Sequence, residues 1–385
     1  MGLATGGNLY VARVAEELAA LGAEVTLITL LPPQDIPWAS RLRIISKTVD
    51  FSFGRTPEKG RVKSFFHSRL AAVTELKKLI REPYDILYSV GGPSNIVSSL
   101  CQKGPFAPKV SVAVIHHLFR QTSWLKFFLG PDTYRKPFQT LYHSVGDRLS
   151  KRCWVVTVSE FWREKLIARG FSEEKISIIP NGADWQNWSF FPPEEAKKEL
   201  NLSGRFVVYT SPLRLRKGIM NILKASHSLI DRYPDLLIMV SGVTNDRTRK
   251  TVEKFVMRNR LNDHFRYDGI IPRDRIPLYY AASDVVVLAS LEEEGWGITL
   301  LEGMMAGRPV VCSPRGAMPE LVRDKGIILE ENTPEHLSRA LEELMEDQEL
   351  RNRLGLAGPP YAEQFSYKAA ARDHLKLFED LLQRS

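Results

Sequence analysis

The chain is poor in the features that mark several large classes of protein. It carries three cysteines in 385 residues, Cys101, Cys153 and Cys312, far apart and without the short paired spacing of a zinc site. That usage fits reduced thiols in a cytoplasmic setting, and no metal centre is expected. No apolar run approaches the ~20 residues that a membrane-spanning helix needs. Met1–Leu21 reads as a glycine-rich loop leading into a helix, not as a signal peptide. There is no Asp-x-Asp, so a metal-bridged diphosphate is not expected. Acidic excess is missing as well: 53 Lys and Arg against 45 Asp and Glu leave a formal charge of +8, which favours anionic partners. Nucleic acid, anionic lipid and a nucleotide sugar all satisfy that charge. No helix-turn-helix, RRM or zinc-finger pattern supports the first.

What is present is ordinary soluble-protein composition, with 44% hydrophobic residues, in a chain too long for one core and suited to two domains. Short apolar runs alternate with helical patterns. Strands are expected at Glu24–Leu30, Leu42–Ser46, Asp85–Val90, Val110–Ile115, Trp154–Val158 and Ile176–Ile179. Helices are expected at Asn8–Leu21 and Ser64–Ile80. After the turn signal Asn181-Gly182 and an irregular aromatic stretch, Trp185–Pro193, a second series begins. It places strands at Phe206–Tyr209, Leu236–Ser241, Phe265–Tyr267, Val285–Ala289, Val310–Cys312 and Gly326–Leu329. Such alternation predicts an α/β fold of two Rossmann-like, doubly wound parallel-sheet domains facing a central cleft.

The most informative stretch is Val285–Cys312, VVVLASLEEEGWGITLLEGMMAGRPVVC. It reads as a buried strand, a loop, a helix opening near Ile298 and a second strand. Glu294 and Glu302 stand eight positions apart across the loop and the helix start. Gly295 and Gly297 let the backbone approach a ligand, and the first helical turn offers free N–H groups to an anion. Amides for a diphosphate and carboxylates for hydroxyls are what a sugar nucleotide requires. Thr299-Leu300-Leu301-Glu302 also fits a capping box, in which Glu302 would serve only the helix end; that reading leaves Glu294 and the two glycines without a role.

EGWGITLLE followed by GMMAGRPVV resembles the E-x7-E motif of the retaining GT-B glycosyltransferases of family 4, with Trp296 where that family usually has Phe. Further matches run in the family's order: Gly6-Gly7, His116, VSEF at Val158–Phe161, IPNGAD at Ile179–Asp184, Lys217-Gly218, Gly316 with Pro319-Glu320, and Phe365-Ser366. The resemblance implies an N-terminal acceptor-binding domain over 1–183, a nucleotide-sugar-binding domain over 184–363, and a last helix over 364–385 that crosses back to the first domain. The family pattern places a strand before Gly6-Gly7, and this sequence begins inside that loop: either its start lies upstream, or the first strand is absent and the sheet is one member short.

By resemblance, Glu294 hydrogen-bonds the 3- or 4-hydroxyl of the donor hexose and Glu302 the ribose hydroxyls. Gly295, Trp296, Gly297, Ile298 and Thr299 supply the backbone around the phosphates, with Gly6 and Gly7 on the other side. Lys217 matches the family's diphosphate-binding lysine. The family's arginine position holds Pro212, and Arg214 is the candidate substitute. His116, at a strand end, takes the sugar-contacting role. No cofactor or metal is implied; the leaving phosphate itself takes the acceptor's proton.

Phe119–Phe138 is dense in aromatics and cations, and Trp124, Lys126, Phe127 and Phe128 within it suit an anionic membrane interface. The expected enzyme is therefore a retaining hexosyltransferase, cytoplasmic and peripheral to the membrane, acting on a lipid-linked or membrane-proximal acceptor. A soluble enzyme of the same family acting on a free sugar or sugar phosphate is the alternative, and an inactive GT-B binding protein is a further one. An NAD-dependent enzyme is disfavoured, because Gly2-x-x-x-Gly6-Gly7 lacks the dinucleotide spacing.

Overall fold

The computed structural model describes residues 6–29, 43–46, 62–90, 92–116 and 145–385. The chain divides into two compact units, Met1–Gly182 with Tyr367–Ser385, and Ala183–Ser366.

In the first unit, β1 (Thr26–Thr29) and β2 (Arg43–Ser46) pair in parallel, and β3 (Ile86–Val90), β4 (Val110–Val114), β5 (Trp154–Thr157) and β6 (Ile176–Ile178) form a separate parallel sheet in that order. All six expected strands of this half are found, within a residue or two of their predicted limits. The sheet is divided, however, and among the described residues β1 has no partner but β2. Gly6 and Gly7 do not form a loop as expected; they open the helix Gly6–Ala20.

The apolar stripe of that helix, Tyr10, Val14 and Leu18, joins β4 and the last helix, Tyr367–Gln383, in one core. His374 of the last helix is fully buried there. Its Nε2 lies 2.7 Å from the Tyr88 hydroxyl and its Nδ1 2.6 Å from the carbonyl oxygen of Ala370. Nδ1 therefore carries the proton and donates to the carbonyl, while Nε2 accepts from the phenol. Burial pulls the imidazole pKa down to about 4, with the Ala370 bond opposing.

The second unit holds one six-stranded parallel sheet in the order β12-β11-β10-β7-β8-β9. Its strands are β7 (Phe206–Thr210), β8 (Leu236–Val240), β9 (Phe265–Tyr267), β10 (Val285–Leu288), β11 (Val310–Cys312) and β12 (Ile327–Ile328). β8 and β10 are buried at every residue. That is why they read as continuous Val, Ile, Leu and Met runs: a parallel sheet covered by helices has no polar face. From β7 the chain steps outward through β8 and β9, then returns to place β10 on β7's other side. β7 and β10 thus flank the point where strand order reverses, and loops leaving their C-terminal ends open a crevice there.

Candidate donor-binding site

Two loops build the site, one after β7 and one after β10. Beyond β7 the chain runs through Ser211 to Leu213, a short 3-10 turn (Leu215–Lys217) and the helix Ile219–His227. Gly218 joins turn to helix at φ +80°. A Cβ there would stand 1.7 Å from the carbonyl oxygen of Ala289, at the end of β10. Only glycine permits both the left-handed backbone and that approach, so Gly218 presses the lysine loop onto its neighbour.

The second loop brings up the carboxylate. Lys217 Nζ lies 2.7 Å from Glu294 Oε1 and 2.6 Å from Oε2, with both side chains mostly buried. Ser290 Oγ donates to Glu294 Oε1 at 2.5 Å. Glu294 is also zipped by its backbone to the Gly316 loop, since Ala317 N donates to its carbonyl and a parallel bridge joins Glu294 to Gly316. A Cβ on Gly316 would fall 2.3 Å from the amide nitrogen of Glu294. The glycine pair Gly218 and Gly316 therefore shapes the cradle from its two sides.

Gly297 caps the helix Ile298–Met305; the Leu300 and Leu301 N–H groups donate to its carbonyl, and the amides of Ile298 and Thr299 precede the first intrahelical bonds. The capping-box reading does not hold. Thr299 donates its hydroxyl to the Ser211 carbonyl at 3.0 Å, and Glu302 accepts from the Tyr280 hydroxyl at 2.7 Å. Burial raises the Glu302 pKa to about 7; the bond from Tyr280 and the charge of Arg273 hold it down, and Asp184 pushes it up. Tyr280 in turn packs its ring on Tyr209 at 4.8 Å. The Tyr280 hydroxyl is held well above its ordinary range by burial and by Glu302.

Of the predicted residues, then, Lys217 and Glu294 meet directly, and Gly295 to Thr299 and Glu302 lie on the same loop and helix. Trp296 is 5% exposed and packs edge-on against Phe365, with its indole nitrogen buried and without a hydrogen bond among the described residues. Its side chain belongs to the core, and its backbone alone serves the loop. Arg214 immediately precedes the 3-10 turn that carries Lys217, and with Arg249 its charge lowers the pKa of the Tyr267 phenol, which burial raises. Arg216 is exposed and faces Glu292 at 3.4 Å. His116 stands at the end of β4 in the other unit, its ring 5.1 Å from that of Tyr10 on the Gly6–Ala20 helix. Trp124, Lys126, Phe127 and Phe128 lie outside the described residues.

Sequence reading missed Ser290 and Tyr280, whose types are ordinary in a buried strand end and a helix. It also missed Asn332, which ties the β10 end to the helix behind the lysine-bearing loop. Among the described residues no cluster of three His, Cys, Asp or Glu is arranged to hold a metal ion. No described helix is long and apolar enough to cross a membrane.

Two parallel-sheet units of Rossmann type in one chain, with a Lys217–Glu294 pair where strand order reverses in the second, define a GT-B protein. The fold is shared with HepE of Anabaena, crystallised with UDP and glucose, at a TM-score of 0.76 and 18% identity over 98% of this chain and 97% of that one. Sucrose-phosphate synthase from Thermosynechococcus elongatus gives a TM-score of 0.75 at 20% identity, covering 99% and 94%. The chain belongs to the glycosyltransferases of family 4: residues 4–186 match the family described as Glycosyltransferase Family 4, and residues 191–359 match Glycosyl transferases group 1. Among its relatives, it is 25% identical over 406 residues to a D-inositol 3-phosphate glycosyltransferase of Corynebacterium glutamicum (strain R), spanning 98% of this chain and 92% of that protein. It is 29% identical over 236 residues to O-antigen chain mannosyltransferase B of Escherichia coli, covering 58% and 60%.

Proposed function

We propose that the protein transfers a hexosyl group from a nucleotide sugar, with retention, to a lipid-linked or membrane-proximal acceptor. The observation that carries the donor half of this reading is the meeting of Lys217 with Glu294 where strand order reverses. A diphosphate competes with Glu294 for the lysine and takes amides from the first turn after Gly297. The carboxylate then turns to a sugar hydroxyl, and Glu302 to the ribose. Charge on the leaving diphosphate grows as the glycosidic bond breaks. A cation fixed beside it is worth most in the transition state, which gives Lys217 the larger share of catalysis. The leaving phosphate collects the acceptor's proton on the same face, so no protein base and no metal is required. HepE, which shares the fold and was crystallised with UDP and glucose, supports a nucleotide-linked donor.

Turnover of UDP- and GDP-hexoses tests the donor half. Glu294→Ala abolishes it in an active enzyme, whereas a binding protein has no activity to lose.

The acceptor half rests on the aromatic and basic run containing Trp124, Lys126, Phe127 and Phe128. Flotation with anionic liposomes tests it: binding at low salt that Trp124→Ser with Phe127→Ser removes supports a membrane-proximal acceptor. One observation favours a second reading, a soluble sugar-phosphate acceptor, because a relative matching nearly the full chain is named for D-inositol 3-phosphate. In that case the protein stays with the soluble fraction.

A further inference from the structure

Ser290 stands at the exit of β10, fully buried, four residues before Glu294. Its hydroxyl has a single proton and two acceptors in reach, Glu294 Oε1 at 2.5 Å and the Arg216 carbonyl at 3.3 Å. The shorter contact, to a charged oxygen, takes the proton. The serine is itself held from behind. Its carbonyl accepts from Ser313 Oγ and from Asn332 Nδ2, both at 2.8 Å. The same Asn332 amide reaches the Ala289 carbonyl at 3.0 Å, and the Asn332 backbone carbonyl accepts from Asn221 on the helix behind Lys217. None of these bonds involves Lys217.

The Glu294 carboxylate is thus held by anchors of different kinds, Lys217 and Ser290 among them. Lys217 is a long, flexible chain that a diphosphate competes for. Ser290 is a short side chain on a rigid strand end, braced by two further side chains. A loop carboxylate that lost its lysine would be free to turn; one still bonded through Oε1 presents Oε2 in a fixed direction. We propose that Ser290 is a positioning residue: it holds Glu294 by one oxygen while Lys217 is given up to the diphosphate, and so sets recognition of the sugar apart from recognition of the nucleotide. This rests on the donor reading above.

The test titrates purified full-length protein with UDP and UDP-glucose, and with GDP and GDP-mannose, and reads the ratio of Kd for the sugar nucleotide to Kd for its diphosphate. Loss of a hydrogen bond to a charged group predicts that Ser290→Ala raises that ratio about tenfold, with the diphosphate Kd within about twofold of wild type. Ser290→Thr, which keeps the hydroxyl, restores the ratio. Asn332→Ala, one bond further back, raises it by a smaller factor. An unchanged ratio in Ser290→Ala overturns the proposal and leaves the donor reading standing. Equal weakening of both ligands together with a lower Tm also overturns it, because that is the mark of a merely structural residue. A wild-type protein that binds neither pair removes the donor reading, and the role of Ser290 falls with it.

Discussion

Glu302 offers the most direct link between an electrostatic feature and ligand affinity. Its carboxyl, buried beneath Tyr280, has a pKa raised from 4.5 to about 7. The sign for stability follows from linkage. A carboxyl raised in the folded protein stabilises it fully below pH 4.5, and that stability is lost as pH rises through 7. Nucleotide binding pulls the other way, since ribose hydroxyls donate to the ionised form. With a pKa near 7 the group is about 90% ionised at pH 8 and about 3% ionised at pH 5.5, so nucleotide affinity falls about 30-fold between them. The assay is calorimetric titration of UDP and GDP across that range, for wild type and Glu302→Gln. The amide cannot ionise, so its profile retains only the titration of the diphosphate itself, and the difference between the two curves isolates Glu302. Parallel curves for the two proteins would refute the assignment of the nucleoside to Glu302.

Gly218→Ala forces a Cβ to 1.7 Å from the Ala289 carbonyl in a left-handed backbone; a loss of more than about 3 kcal/mol in chemical denaturation is expected, and a change under about 1 kcal/mol would show that the close approach is not needed. His374 has its pKa lowered from 6.5 to about 4 by burial, so it contributes stability above pH 6.5 that is lost as pH falls towards 4. The linkage amounts to on the order of 3 kcal/mol, and His374→Phe removes that part of the acid dependence while costing stability at neutral pH through loss of the bonds to Tyr88 and Ala370. An acid profile identical in wild type and variant contradicts a buried neutral His374. Lys217→Met is expected to lower kcat about 100-fold or more, and a variant affected only in KM would reassign the lysine to ground-state binding.

Much of the fold is legible in the sequence because buried parallel strands write themselves as runs such as Val285–Leu288, and their turns carry Gly and Pro. Glu294, Glu302 and the glycines are legible as a local pattern within one loop. The Lys217–Glu294 pair joins positions 77 apart and exists only because β7 and β10 are neighbours, a fact of strand order that no local pattern states. Glu302 shows the opposite difficulty. Its spacing from Thr299 fits a helix cap, yet Tyr280, brought in from another helix, takes the carboxylate, and Thr299 turns to the Ser211 carbonyl. Trp296 differs from the family's phenylalanine, and the structure shows the substitution absorbed by packing on Phe365. Ser290 and Asn332 gave no signal at all, since a buried serine at a strand end and an asparagine before a helix are common for reasons unrelated to any ligand.

The central claim is that an activated sugar is gripped by its pyrophosphate where the loops after β7 and β10 meet. Crystals grown with UDP or GDP test it most directly. Diphosphate oxygens are expected within hydrogen-bond distance of Lys217 Nζ and of the backbone amides following Gly297, with the ribose against Glu302. A nucleotide bound in some other crevice, with Lys217 still paired to Glu294, would contradict it.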